Sequence, residues 1–478
     1  MNVGDAPGRP LDVILADAPG LRVRRRVGDA SPGIAGITLD SRQVVRGSLF
    51  CCVPGDHADG HRFAAAAVEA GAVALLVDHE LAIDVPQLVV DDVRAATGPL
   101  AAAAYGHPSR SVAVVGITGT NGKTTTANLL AHVLDANGWP CGVIGTLTGP
   151  RTTPEAPELQ ARLADFVTDA RRAVSMEVSS HALALHRVDG TRFRVAVFTN
   201  LSQDHLDLHG TMERYFAAKA RLFEPDLADE GVVCVDGPYG QLLADGAGIH
   251  VTTFSAADAG DVRLTPTGAT FRWDSQPVRL GMGGRFNVTN ALAAATVARR
   301  LGLPAADVAA ALSTAAPVPG RFEPVDAGQG FGVVVDYAHT PDGLAEVLRA
   351  ARDAAGSGRV LVVFGCGGDR DAAKRPAMGR IAAEGADVVV VTSDNPRWED
   401  PAAIISAVLS GIPPVHPRPV LAEPDRRAAI GLALAEARPG DVVLVAGKGH
   451  ESTQTTGSAV LPFDDRVVVR DLLTGGRA

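Results

Sequence analysis

The stretch Gly116-Ile117-Thr118-Gly119-Thr120-Asn121-Gly122-Lys123-Thr124 constrains this chain more than any other. It follows a short apolar run at 112–115, fit for a buried parallel strand, and opens a helical pattern at 123–136. A strand, a glycine-rich turn and a helix N-terminus in that order make a phosphate-binding loop. The glycines let backbone N–H groups converge on phosphate oxygens at the positive end of the helix dipole. In such a loop Lys123 reaches the β- and γ-phosphates and the Thr124 hydroxyl holds Mg2+. The match to G-x-x-x-x-G-K-[ST] is not strict, because Ile117 takes the first glycine position and Gly116 comes one residue early. The expected ligand is ATP.

Strand and helix patterns alternate around this loop. At 478 residues the chain is long enough for several domains. Residues 1–110 read as a small mixed α/β domain, with β-rich runs at 48–53, 73–77 and 88–90 and alanine-rich helices at 62–70 and 93–105. His107-Pro108-Ser109-Arg110 reads as a linker. A central block, 111–319, has strand candidates at 112–115, 142–144, 173–178, 195–199 and 232–235, with helices at 123–136, 211–223, 288–301 and 304–313. Residues 251–282 lose the helical period and read as antiparallel strands. The last block, 320–478, places strands at 332–336, 359–364, 387–392 and 441–446 between helices at 341–354, 372–384, 401–409 and 425–437. That spacing predicts a doubly wound, Rossmann-like parallel sheet.

The formal charge of −10 and a pI near 5.7 argue against nucleic acid or an anionic membrane as the main partner. No apolar run approaches the ~20 residues that span a bilayer. The N-terminus has no signal-peptide pattern, and five cysteines without C-x-x-C spacing give no disulfide framework, so a cytoplasmic protein is expected. Lysine is scarce. It occurs only at Lys123, Lys219, Lys374 and Lys448, against 40 arginines, so each retained lysine is a candidate for chemistry that a planar guanidinium cannot do.

Two further strand ends carry polar groups suited to a nucleotide site. Met176-Glu177-Val178-Ser179-Ser180-His181 ends one strand with a carboxylate, a useful magnesium ligand, and 199–207 ends the next with His205 as a candidate metal ligand. Both fall at the carboxyl edge, where doubly wound sheets place ligands. Either alone reads as a cap or turn; with the phosphate loop they read as a site. Lys219 has Tyr215, Phe216, Leu222 and Phe223 at helical offsets, which puts it on the apolar side of its helix. A lysine there ordinarily snorkels. Arginine snorkels equally well, and this chain prefers arginine, so a reactive primary amine is the sharper reading.

Gly119-Thr120-Asn121-Gly122-Lys123-Thr124, the strand ends at Glu177 and His205, and the Ala-Ala-Lys219 helix together resemble the Mur ligase family, over essentially the whole chain. The resemblance implies an ATP-dependent amide ligase of peptidoglycan synthesis, with a substrate domain, a central ATP-binding domain and a C-terminal amino-acid domain. It implies that Lys219 is carboxylated by CO2 and binds magnesium with Thr124, Glu177 and His205, and that the nucleotide contacts run on to Thr125. Lys123, Lys219, Glu177 and His205 are then the catalytic set. Details resemble the members that add meso-2,6-diaminopimelate to UDP-N-acetylmuramoyl-L-Ala-D-Glu. Leu39 and Ser41, with Asp56, His57 and Ala58, look like uridine-side contacts. Thr152, Thr153, Ser179 and Arg187 match muramoyl-dipeptide contacts, while Leu185 departs from a glutamine found in some members. Asn287, Asn290, Arg321 and Asp336 look like nucleotide-side residues, and because Arg321 and Asp336 come from the last block, its closure is expected to complete the site.

Three loops of that last block follow strands: Gly367-Gly368-Asp369-Arg370-Asp371, Asp394-Asn395-Pro396-Arg397, and Gly447-Lys448-Gly449-His450-Glu451. Forked arginines suit carboxylates, and aspartate or glutamate suits ammonium, so Arg370, Asp394, Asn395, Pro396, Arg397, Gly447 and Glu451 are the expected diaminopimelate pocket. The chain is expected to act as a monomer. The alternatives are a relative that adds L-lysine, a folylpolyglutamate synthase-like ligase, a nucleotide switch, and a dinucleotide oxidoreductase. The last rests on Phe364-Gly365-Cys366-Gly367-Gly368, which lacks G-x-G-x-x-G spacing.

Overall fold

A computed structural model of the chain describes residues 8–18, 20–55, 58–414 and 416–475. Two compact units emerge. One takes in Met1–Gly119, Gly138–Thr199 and His205–Thr253; the other takes in Thr120–Asn137, Asn200–Asp204 and Phe254–Ala478.

The first unit holds two larger sheets besides a two-stranded one of Arg9–Pro10 with Gly33–Ile34. Strands β1 (Val23–Val27), β2 (Gly36–Thr38), β3 (Ser48–Cys51), β4 (Ala72–Val77) and β5 (Gln87–Val90) lie in the order β1-β5-β4-β3-β2, parallel except for β1 at the edge. Strand β4 is buried on both faces: Ala74 and Leu76 join one core, Leu75 and Val77 the other. Helix α1 (Val93–Ala104), capped by Asp92 through Ala95 N, packs Val93, Ala96, Leu100 and Ala101 onto the first of these cores.

The second sheet starts with β6 (Ala113–Thr118). The chain then runs through the glycine loop into α2 (Lys123–Ala136), which belongs to the other unit. Strands β7 (Cys141–Ile144), β8 (Ala173–Glu177), β9 (Phe193–Phe198), β10 (Ala228–Cys234) and β11 (His250–Phe254) complete the order β11-β10-β9-β6-β8-β7. The pairs of β6 with β8 and β9, of β7 with β8 and of β9 with β10 are parallel. Helix α3 (Ala156–Thr168) follows β7, and α4 (Met212–Ala220) follows β9.

In the second unit, β12 (Gly260–Thr265), β13 (Gly268–Trp273) and β14 (Gln276–Leu280) form an antiparallel meander. Helix α5 (Arg285–Arg300) follows, with fully buried Ala291, Leu292, Ala294 and Ala295. The last sheet contains β15 (Glu323–Pro324), β16 (Gly332–Asp336), β17 (Val360–Phe364), β18 (Val388–Val391), β19 (Val420–Ala422) and β20 (Val442–Ala446), in the order β15-β16-β20-β17-β18-β19. All its pairs are parallel but the first. Unbroken apolar runs such as Val-Leu-Val-Val-Phe suit it because both faces are covered. Val360, Val362, Phe364, Val389 and Val391 meet helices α6 (Pro341–Ala355), α7 (Lys374–Gly385) and α8 (Pro401–Leu409). Leu361, Val363, Val388 and Val390 meet α9 (Arg426–Glu436) and α10 (Asp465–Leu473). A hairpin of Thr453–Thr456 with Ala459–Pro462 lies between these two helices in sequence.

Two expectations need correction. Residues 251–282 are not one antiparallel group, because β11 joins the edge of the central sheet and only 260–280 form the meander. The 107–110 segment is no free linker. His107 sits at φ 55, Pro108–Arg110 form a 3-10 turn, and buried Ser109 accepts a hydrogen bond from Arg192 N at 3.0 Å. Helix 156–168 and hairpin 453–462 were outside the sequence reading altogether.

The last sheet is fastened at its carboxyl edge by one buried ion pair. Arg426 donates to both oxygens of Asp465, at 2.8 and 2.7 Å, and to Ser393 O and Ala446 O at 3.2 and 3.0 Å. Both side chains of the pair are fully buried. Burial alone would lower the guanidinium pKa, but Asp465 overrides it and the net shift is upward. Asp465→Ala leaves that cation buried without its partner, which costs about 3–5 kcal/mol. Urea unfolding of the full chain should show a loss of that order for Asp465→Ala, whereas cutting the exposed Arg25–Glu80 pair should change little.

Candidate active site

The phosphate loop is strapped by the segment after β9. Thr120 N donates to Asn200 O at 3.0 Å and Asn121 N to Asn200 Oδ1 at 2.9 Å, while Asn200 Nδ2 returns a bond to Asn121 O at 3.2 Å. Ser202 N donates to Thr120 Oγ1 at 3.0 Å, and that hydroxyl donates to Ser202 O at 3.2 Å. Gly122 has φ 85, and a Cβ there would stand 2.3 Å from Asn290 Oδ1. Only glycine fits both conditions. Asn290 is oriented in turn by its bond to Asn287 Oδ1 at 3.2 Å. Lys123 Nζ folds back onto Thr120 O at 2.8 Å, and Thr124 and Thr125 are buried in the first turn of α2.

Arg321 already reaches this loop, donating from NH2 to Thr124 Oγ1 at 3.0 Å; the expected closure is not needed for this contact. Its guanidinium lies over the Tyr337 ring at 4.8 Å. Gly320 at φ 66 is jammed against the 447–451 loop, with its would-be Cβ 2.0 Å from His450 N. Asp336 accepts from Phe322 N and Ala338 N, both at 2.7 Å, and burial raises its pKa. Burial, then the nearby Arg321, lowers His450 to about 4, so that ring is neutral at pH 7.

Glu177 ends β8 fully inside. Its carboxylate accepts from Thr146 N at 2.8 Å and from Thr146 Oγ1 at 3.3 Å. Thr153 Oγ1 donates to Glu177 O at 2.9 Å and accepts from Ser179 N at 3.1 Å, and Thr152 Oγ1 lies 3.1 Å from Thr146 Oγ1. Glu177, Thr152, Thr153 and Ser179 are thus one connected group. Arg187 joins it through Thr153 O at 3.4 Å and pairs with Glu155 at 2.8 Å. Burial lowers the Arg187 pKa, Glu155 opposes that, and Arg151 and Arg94 add to it. Arg94 and Arg187 thus share Glu155, and Arg151 lies within electrostatic range of Arg187. Arg151 also lies within electrostatic range of Asp40, which relates the Leu39–Ser41 turn to this group. Sequence reading missed Arg94, Arg151 and Glu155. Ala58 is exposed; Asp56 and His57 lie outside the described residues.

Lys219 is buried on α4 as its spacing implied. Nζ donates to Gly119 O at 2.8 Å and sits 4.7 Å from the centre of the Tyr215 ring. His205, at φ 53, is exposed and meets His181 edge-on at 4.9 Å; His209 packs on Tyr215 at 5.0 Å. Among the described residues, Glu177 and His205 belong to no set of three His, Cys, Asp or Glu ligand atoms lying within 4.8 Å of one another.

The three C-terminal loops do converge. Asn395 Nδ2 donates to Glu451 Oε2 at 2.8 Å, and its Oδ1 accepts from Thr455 N at 3.0 Å. Fully buried Lys448 donates to Thr453 O, Glu451 and Asn395 at 2.6, 3.2 and 3.3 Å. Asp394 lies behind Gly447, and burial raises its pKa. Arg397 has φ 53 and donates from NH1 to Gly368 O at 2.6 Å and from its backbone N to Thr455 O at 3.0 Å. No carboxylate pairs with its guanidinium among the described residues. Arg375, unforeseen, forks onto Glu399 at 2.9 and 2.8 Å, and Glu399 also takes Asp369 N at 2.5 Å. That clamp ties the 367–371 loop to the Arg397 loop. Arg370 is exposed and stands apart from these bonds.

A phosphate-type loop in one α/β sheet and a convergent set of charged loops at the edge of another suit an ATP-dependent ligase. The chain belongs to the Mur ligase family. It matches the Mur ligase catalytic domain at 33–105, the Mur ligase middle domain at 117–298 and the Mur ligase glutamate ligase domain at 320–449. It is 45% identical to the UDP-N-acetylmuramoyl-L-alanyl-D-glutamate--2,6-diaminopimelate ligase of Streptomyces coelicolor, over 98% of either chain. A solved structure of a ligase of that name superposes with a TM-score of 0.68 at 33% identity, covering 95% of this chain and 97% of the other. The MurF ligase of Thermotoga maritima, solved with ADP, shares the fold at TM-score 0.63 and 21% identity, over 92% and 96% of the chains.

Gly122→Ala should weaken nucleotide binding. A positive φ costs an L-residue roughly 1–2 kcal/mol, and the methyl must also displace Asn290, so a loss of tenfold or more is expected. Gly138 has φ 72 with nothing within 4 Å of its would-be Cβ. Gly138→Ala should therefore leave ATP affinity, read by calorimetry, unchanged.

Proposed function

We propose that this chain adds meso-2,6-diaminopimelate to the γ-carboxylate of the D-glutamyl residue of UDP-N-acetylmuramoyl-L-alanyl-D-glutamate, consuming ATP, in peptidoglycan synthesis. Near full-length likeness to ligases of that name carries the reading. Arg397, fixed in direction and without a carboxylate partner among the described residues, supports it. We assign the UDP-linked substrate to residues 1–110, the nucleotide to 111–319 and the amino acid to 320–478. Five unbonded cysteines support a cytoplasmic location, and a charge of −10 supports the absence of a nucleic-acid or anionic-membrane partner; we take the chain to act as a monomer. Among the described residues no helix is long and apolar enough to cross a membrane.

ATP supplies the phosphoryl group that turns the substrate carboxylate into an acyl phosphate, which the diaminopimelate amine opens with release of phosphate. The loop amides from Gly119 to Thr125 cradle the nucleotide, and Lys123 leaves Thr120 O to meet the transferring charge. Arg321 and Asp336 hold the nucleotide side with Asn290. Thr152, Thr153, Ser179 and Arg187, with Leu39, Ser41, Asp56, His57 and Ala58, hold the UDP-linked dipeptide. Asp394, Asn395 and Glu451 receive one ammonium of diaminopimelate, and Arg397 receives the carboxylate beside it, with Arg370, Pro396 and Gly447 around them.

Magnesium takes oxygen ligands. The Glu177 carboxylate, oriented by Thr146, and the Thr124 hydroxyl fit that demand. The Lys219 ammonium does not, since like charges repel; only as a carbamate would this side chain offer the ion an oxygen donor. We assign Thr124, Glu177 and carboxylated Lys219 to the ion as oxygen donors and His205 as its one nitrogen donor; the ion would neutralise charge between nucleotide and carboxylate.

Comparing diaminopimelate with L-lysine as substrate tests the reading. Lysine lacks one carboxylate, and sites built for a polar group reject its absence by roughly 10⁴-fold or more. Arg397→Ala should lose most of kcat/KM for diaminopimelate and most of the preference over lysine. Arg397→Lys should recover little, because a point charge does not replace the fork. An unchanged preference in Arg397→Ala sinks the assignment. Lys219→Arg should be inactive, and Lys219→Ala should regain some turnover with added acetate; full activity in Lys219→Arg would exclude the carbamate.

A further inference from the structure

A second set of ligating groups lies in the first sheet, among residues given no part in the reaction. Strand β4 ends at Val77, and Asp78 and His79 follow it directly. The 3-10 turn Gly60–Phe63, capped by Asp59, brings His61 against them. His61 is almost fully buried, with 5% of its side chain exposed, while His79 is 61% exposed. The two rings stack at 4.6 Å.

The hydrogen bonds around His61 leave one atom unexplained. Its Nδ1 lies 2.7 Å from Asp59 Oδ1, so that nitrogen carries the proton. Its Nε2 accepts from Asp78 N at 3.3 Å, so it presents a lone pair. Yet the same Nε2 faces Asp78 Oδ1 at 3.2 Å, an acceptor opposite an acceptor. His79 Nδ1 closes on that carboxylate oxygen too. Two lone-pair atoms at this distance need a positive centre: a second proton on His61, or a metal ion. Nε2, Asp78 Oδ1 and His79 Nδ1 all lie within 4.8 Å of one another, the only such triad of ligand atoms among the described residues. Asp59 behind His61 completes the carboxylate–histidine pairing that orients metal ligands.

We infer that His61 Nε2, Asp78 Oδ1 and His79 Nδ1 form a binding site for a transition-type divalent cation such as zinc, with water in its open position. Two imidazoles and one carboxylate select zinc, cobalt or nickel over magnesium. The exposed His79 gives the ion an entry path. The site requires nothing of the ligase chemistry and stands or falls separately.

The test is Co2+ titration of the untagged full chain with saturating Mg2+, followed by visible d–d absorption. One equivalent should bind at micromolar concentration and be displaced by Zn2+. His79→Ala alters an exposed side chain, keeps the fold, and should lose the band. Asp59→Asn should keep the stoichiometry but weaken Co2+ by about 10–100-fold, the usual effect of an outer-shell carboxylate. No Co2+ uptake by the wild-type chain would overturn the proposal and assign the contact to doubly protonated His61. Unchanged Co2+ affinity in His79→Ala would overturn it as well.

Discussion

The cluster of C-terminal loops depends on Arg426. One buried guanidinium ties Asp465 at the start of the last helix to Ser393 O and Ala446 O, the carbonyls just before Asp394 and Gly447. Two parallel strands are thereby held at the points where their loops leave the sheet. A buried ion pair is weak evidence of stability in itself, since apolar residues often replace one without loss. Its value here is directional: it fixes where two pocket loops begin. Arg375 and Glu399 then fix how far those loops travel, and the Thr455–Arg397 contact sets the angle of the guanidinium.

The phosphate loop follows the same logic with smaller forces. Its amides and carbonyls are held by Asn200 and Ser202, and glycine is required at 122 because Asn290 comes so close. None of these bonds is strong, since a net hydrogen bond contributes only about 0.5–1.5 kcal/mol. Together they fix the loop before any nucleotide arrives, which removes ordering cost from binding. Lys123 occupies the mouth through a bond to Thr120 O that can be exchanged for phosphate.

Much of this was legible in the sequence. Valine-rich runs bounded by glycine and proline identify the parallel strands, because burial on both faces leaves no polar alternation to confuse them. The phosphate loop and Lys219 were legible for a chemical reason: local spacing, and a primary amine where the chain otherwise uses arginine. What escaped was of another kind. Arg375 with Glu399, Arg94 with Glu155, and Arg426 with Asp465 are joined across 24, 61 and 39 residues, and nothing in local periodicity marks such partners. The hairpin at 453–462 escaped because Thr-Gln-Thr-Thr and Ala-Val-Leu-Pro are mostly exposed and share no face pattern. That hairpin also holds Arg397, whose backbone N donates to Thr455 O.

Charge balance among the C-terminal loops gives the proposed role of Arg397 its physical basis. Lys448 is balanced by Glu451 through a direct contact, and Arg426 by Asp465. Arg375 is matched by Glu399. Asp394, with its pKa raised by burial, is the carboxyl most ready to gain from an incoming ammonium. Arg397, half-buried and bonded through NH1 to a neutral carbonyl, is a cation that can gain from an incoming carboxylate, as the exposed Arg370 can less. A ligand bearing both charges on one carbon satisfies both residues at once, whereas one bearing only the ammonium leaves the guanidinium desolvated beside a carbonyl. Under the proposed assignment the preference arises from the penalty on the wrong ligand as much as from attraction to the right one.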